Sequence, residues 1–236
     1  GGMPEVVYNK LNGDSDNILD SIKQKILDVY KGEYLLFDVD NIKSNEIMDS
    51  LPQQLVKDNK KFQYGVIKKG GRSKEYENNI NLLVTNGILN RCYRLTDVKS
   101  PLSSAKDLES FKLYFNDVGL LYTTLHLNNN KFMNNYDLRK TLIENNIANY
   151  LTNIGLSLYY YQSDGKAEVS FVIQNRNGKI LPIEVVDMKL VKAKSLSLFM
   201  AKYNLSEAIR ITEDNFSKKK GLKNIPLYAM FCIKDM

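Results

Sequence analysis

The chain has 236 residues, enough for one large domain or two small ones, with 43% hydrophobic and 25% charged residues. That composition excludes a disordered or fibrous protein, and the formal net charge of +6 suits an anionic partner without specifying one. No apolar run reaches the roughly 18–20 residues of a membrane helix, and no signal-peptide pattern opens the chain, so a cytoplasmic protein with no membrane contact is expected.

The first half reads mostly as helix. Asp16 or Asn17 caps a helix from Ile18 to Tyr30, with Ile18, Ile22, Ile26 and Val29 on one face. Ser44 opens a short helix to Leu51, and Pro52 begins another turn through Val56. Ser73 leads a third helix whose stripe is Tyr76, Ile80, Leu83 and Val84, ended by Gly87. The segments 88–95 and 111–115 alternate polar with apolar residues and pair as an antiparallel ribbon. Helices followed by such a ribbon make a winged helix.

Residues 120–135 connect the halves and carry the asparagine run 128–130. A helix over 137–151 then precedes strands at 156–161, 168–173 and 180–186. Asp164-Gly165 and Asn177-Gly178 are turn signals that make these strands a meander. A helix over 193–203, a short strand at 207–211, a basic loop at 218–223 and a strand at 227–233 complete the chain. Tyr159, Tyr160 and Tyr161 fit a core strand better than a base-stacking platform. Cys92 and Cys232 stand far apart, and His126 has neither cysteine nor a second histidine near it, so none suggests a zinc site.

Helix, three strands, helix, strand is the core order of the restriction-endonuclease-like fold. Glu168 and Ser170 share one face of a strand, as do Glu184 and Val186. Nucleases of the PD-(D/E)xK kind place an acid on the first such strand and Glu-x-Lys on the second, where the acids hold a divalent metal. Ser170 stands in place of the acid and Val186 in place of the lysine. The site is therefore degenerate, with no catalytic or metal-binding residue expected. Glu144, Glu168 and Glu184 are the candidates if a metal binds, with Lys166 or Lys189 replacing the lost lysine. In its apolar strand Glu184 needs a cation, and Lys166, Lys189 and Lys194 are candidates.

Several pieces in order carry a resemblance: Gly1 to Val7, Ile67 to Tyr76, Phe111 to Leu121, Glu144-Asn145, Tyr159 to Ile173, Pro182 to Val186, and Lys194-Ser195-Leu196. Together they resemble the C-terminal domain of unknown function that follows the P-loop domain in prokaryotic AAA-type ATPases. The resemblance implies an α+β fold, with a winged-helix-like helical region and β ribbon over 15–118 and a restriction-endonuclease-like α/β domain over 119–236. Residues 1–14 would then be the tail of an absent ATPase module. It further implies that ATP and Mg²⁺ bind that module, since no Gly-x-x-x-x-Gly-Lys-Ser/Thr loop occurs here, and that the ATPase domain is a partner. Glu144, Glu168 with Ser170, and Glu184 with Val186 match the family's helical glutamate, first-strand acids and Glu-x-Lys.

The basic stretch Lys57, Lys60, Lys61, Lys68, Lys69, Arg72 and Lys74 leads into the third helix, with Phe62, Tyr64 and Tyr76 interleaved. Such lysines contact DNA phosphates in winged helices, although Glu75 and Glu77 oppose this. The expected function is non-catalytic recognition of nucleic acid or a protein partner by an accessory domain. A residual Mg²⁺-dependent DNA nuclease and a pure protein–protein interaction module are the alternatives.

Overall fold

The computed structural model describes residues 1–33, 41–127, 135–163, 168–186 and 194–235. It is a mixed α and β chain with an eight-stranded sheet. Contacts divide it into two units, Gly1–Arg91 with Leu113–Asn149, and Cys92–Lys112 with Tyr150–Met236. Expectations for 128–130, for the Asp164-Gly165 turn and for Lys166 and Lys189 lie outside the described residues, as does the side chain of Lys194.

In the first unit, α1 (Pro4–Leu11) starts on a proline, with Glu5 in its first turn and Lys10 in its last, all favourable to a helix. Residues 1–14 are thus folded: Val6 of α1 packs with Leu19 and Ile22 of α2 (Asp16–Glu33). The buried stripe of α2 is Leu19, Ile22 and Leu27, whereas Ile18 and Val29 are 46% and 51% exposed. Helix α3 (Asn41–Leu55) runs straight through Pro52 instead of breaking there. Proline costs a helix hydrogen bond, but Ile47, Met48, Leu51 and Leu55 are all buried and outweigh it.

A short α4 (Tyr64–Ile67) and α5 (Ser73–Thr85) follow. Ile88 N–H donates to the Leu83 carbonyl (2.9 Å) and Gly87 N–H to Val84 (3.0 Å), closing α5 at Gly87, whose φ is +69°. The segment 120–135 contains a helix missed in the sequence, α6 (Val118–Thr124), capped by Asp117, which accepts from Leu120 N–H at 3.0 Å. The last helix to begin in this unit is α7 (Tyr136–Asn153).

Strands β1 (Leu89–Leu95) and β2 (Lys106–Phe115) each have residues in both units. Asn116 N–H bonds to Ile88 C=O (3.0 Å) and Thr96 N–H to Ala105 C=O (2.9 Å), so the two strands run antiparallel as expected. The ribbon does not stand alone, however. The other edge of β1 pairs in parallel with β3 (Leu158–Gln162), from Cys92↔Leu158 to Leu95↔Tyr161.

In the second unit β3, β4 (Glu168–Gln174) and β5 (Ile180–Val185) form the expected meander. After α8 (Lys194–Lys202) the chain returns as β6 (Ala208–Thr212), parallel to β5. The 218–223 segment is a hairpin of β7 (Ser217–Lys219) and β8 (Leu222–Pro226), not a loop. The sheet order is β2-β1-β3-β4-β5-β6-β8-β7. Beneath α8, Tyr159, Tyr161, Val169, Val172, Leu196, Phe199 and Ala208 form a core cluster, and Tyr160 is fully buried in the same strand, so the three tyrosines are core.

The strand expected at 227–233 is a 3-10 segment, Leu227–Asp235. Its buried residues Ala229 and Ile233 are four apart, a helical spacing, and β8 already occupies the edge of β6. Among the described residues no helix is long and apolar enough to cross a membrane.

Candidate functional site

Each of the three carboxylates singled out in the sequence, Glu144, Glu168 and Glu184, has a cationic partner. Glu144 on α7, 2% exposed, accepts from Lys60 Nζ at 2.5 Å, with Lys140 Nζ at 3.9 Å. Glu168 accepts from Lys112 Nζ at 2.6 Å. Lys112 is 1% exposed and lies 4.5 Å from the centre of the Tyr160 ring, so a cation–π contact adds to the pair. Burial, then the nearby Cys92 and Glu168, push the Tyr160 hydroxyl pKa upward. Glu184 pairs across the sheet with Arg210 of β6, Nε to Oε2 at 3.4 Å. Among the described residues Arg210 is its ion-pair partner, and the side chains of the three lysines named from the sequence lie outside the described residues.

A bulge decides the geometry of the two strands. Tyr159 faces Val172 and Tyr161 faces Val169, so two steps on β3 match three on β4. Val169 and Val172 consequently lie in the same cluster under α8, which a regular strand forbids for residues three apart. Glu168, one residue before Val169, faces the opposite side, that of Lys112 and Tyr160. Pro182 is paired with Val172, so Glu184, two residues on, faces the α8 side. Glu168 and Glu184 therefore lie on opposite faces of the sheet.

Ser170 is buried in the bulge, and Val186 donates its backbone N–H to the Ile211 carbonyl (3.0 Å). Among the described residues no three His, Cys, Asp or Glu side chains are grouped to hold a metal ion. A divalent metal needs several oxygen ligands around one point, and these carboxylates do not fit it. Cys92 is buried and Cys232 half-buried, neither in a disulfide among the described residues, and His126 is exposed at the end of α6.

The basic stretch divides into two kinds of residue. Lys60 is 6% exposed and bound to Glu144, which removes it from any phosphate-binding face, and Lys61 is half-buried. Lys57, Lys68, Lys69, Arg72 and Lys74 are exposed. Three of these sit on the tight turn between α4 and α5, where a Cβ on Gly71 would lie 2.7 Å from the Tyr64 carbonyl oxygen.

The interleaved aromatics are structural. Tyr64 stacks on Tyr76 at 6.3 Å and meets Phe62 edge-on at 5.2 Å, tying α4 to α5. Tyr64 donates to Glu77 (3.1 Å), as does Arg91 Nη1 (2.8 Å), so Glu77 opposes phosphate less than its sequence position implies. Burial first, then Glu77, push the Tyr64 hydroxyl up to about 12.

Residues 1–131 match the model of a domain of unknown function, DUF8612. The chain belongs to that family. Residues 139–230 match a second domain of unknown function, DUF4143. No curated protein and no solved structure matches. The DUF8612 segment supplies Lys60 and Lys112, and the DUF4143 segment supplies Glu144 and Glu168. Each of these two ion pairs lies within one compact unit, so each unit is built from both family segments. Lys112, missed in the sequence, was signalled by its position as a lone cation in Phe111-Lys112-Leu113-Tyr114-Phe115.

Proposed function

We propose that this DUF8612 chain is an accessory module of a AAA-type ATPase that contacts nucleic acid without cleaving it. The match to DUF4143 is compatible with an AAA-ATPase-associated domain. In this reading residues 15–118, with α2, α3 and α5 and the β1–β2 ribbon, are the winged-helix-like part. The order α7, β3, β4, β5, α8, β6, with β5 parallel to β6, is the restriction-endonuclease-like part. ATP and Mg²⁺ belong to the ATPase module, and this chain supplies a contact surface.

The observation that carries the reading is a contrast between two sets of charges. The carboxylates that nuclease chemistry would use are held by Lys60, Lys112 and Arg210. Lys68, Lys69, Arg72 and Lys74 are exposed, with no ion pair among the described residues. An exposed cation that meets a phosphate releases a counterion, so affinity depends steeply on salt.

Fluorescence anisotropy with a labelled duplex, titrated over ionic strength, tests this. The K68A/K69A/R72A/K74A variant is expected to lower the salt slope by about 3.6, at about 0.9 per phosphate. Absence of binding by the unaltered protein at low salt would instead favour a protein–protein interaction module.

A further inference from the structure

We infer that the β7–β8 hairpin is a second nucleic-acid contact, built for single strands. It extends the nucleic-acid reading to a surface outside α4 and α5, and rests on that reading only for the class of partner. The hairpin presents Lys218, Lys219 and Lys220 in succession, all exposed. Lys218 stands directly opposite Lys223 in the register, a like-charge pair that destabilises a hairpin by itself.

One carboxylate serves the cluster. Glu207 is bonded by Lys179, approached by Lys223 at 3.4 Å and by Lys218 at 4.0 Å. The Lys179 hydrogen bond, then Lys223, hold its pKa below the usual range. Asp214, nearby in sequence, is engaged with Thr212. Lys219 and Lys220 have no acidic partner among the described residues.

The turn places a cation where the backbone disfavours it. Lys220 has φ +48° and Gly221 φ +80°, a two-residue turn that Asn-Gly fits best. Gly221 is required, since a Cβ there would lie 2.1 Å from the Ser206 carbonyl oxygen. Lysine at position 220 accepts a left-handed conformation that asparagine would adopt more easily. Edge strands often carry lysine to block strand addition, but that role belongs to the strand, and Lys220 is in the turn. Strain kept at an exposed tip points to function there.

Phe216, immediately before β7, is 55% exposed. Cations tracking a backbone beside an exposed aromatic ring suit an unpaired strand, whose bases are free to stack.

The test is anisotropy of labelled oligothymidylate with the full chain. K218A/K219A/K220A should lower the salt slope by about 2, at about 0.7 per single-strand phosphate. Phe216→Ala should weaken binding about fivefold or more. Lys220→Asn should weaken binding while leaving thermal stability equal or higher, an outcome that a purely structural lysine would not give. Unchanged slopes in these variants, or binding to anionic phospholipid vesicles in place of oligothymidylate, would overturn the inference. Loss of binding in the Lys68, Lys69, Arg72 and Lys74 variant with unchanged hairpin variants would overturn it and leave the α5 reading standing. The reverse pattern would support the hairpin and remove the α5 face.

Discussion

Lys60→Met is expected to destabilise the protein by about 3–5 kcal/mol, the usual cost of leaving one member of a buried ion pair without its partner. The two side chains are 7% and 2% exposed and 2.5 Å apart, so water does not compensate Glu144 when the ammonium is removed. Lys140, at 3.9 Å and on the rim, replaces only part of the interaction. With domain stabilities near 5–15 kcal/mol, the loss is a large fraction of the total. The double variant Lys60→Met/Glu144→Leu should recover most of it, because no isolated charge remains in the interior. Urea unfolding of the two variants measures both effects. The same Lys60→Met protein, kept at low temperature, should bind DNA with an unaltered salt slope. A reduced slope with normal stability would return Lys60 to the phosphate-binding face.

Asn145→Leu is the second large effect. The Asn145 side chain is fully buried and satisfies both backbone groups of Phe115, accepting from its N–H at 2.9 Å and donating to its carbonyl at 3.0 Å. Leucine is similar in size but makes neither bond. Each orphaned backbone group costs about 1–3 kcal/mol, giving a loss of about 2–6 kcal/mol. Hydrogen exchange at the Phe115 amide should accelerate along with the drop in urea midpoint. Slow exchange at that amide in the variant would show that the side chain is not its partner. Glu144-Asn145, part of the sequence resemblance, thus has a structural reason for each residue.

The parts of the fold that were legible are those written in local pattern. Asn177-Gly178 and the alternation around it yield the β4–β5 turn, where Gly178 has φ +78°. The Tyr76, Ile80, Leu83 spacing yields α5. Non-local pairings left no such trace. Nothing in Leu89 to Leu95 announces a parallel partner more than sixty residues away, so the ribbon reads as a free wing. The bulge at Ser170 and Phe171 is one unpaired step with no glycine to mark it, yet it sends Glu168 and Glu184 to opposite faces. Lys60 and Lys61 look alike in sequence, and only Glu144, 84 residues further on, separates a buried ion pair from a surface charge. The C-terminal run misled for a different reason. An apolar stretch of that length suits strand or helix, and the edge it would have joined was taken by β8.

Recognition without cleavage is tested most directly by incubating end-labelled duplex and single-stranded DNA with the protein in Mg²⁺ or Mn²⁺. Each sample is then run on native and on denaturing gels. The expected result is DNA that is retarded in the native gel and full length in the denaturing one. The Ser170→Asp/Val186→Lys variant should leave the DNA equally intact, because Glu168 and Glu184 still face opposite sides of the sheet. Shortened DNA that EDTA prevents, from either protein, would contradict it.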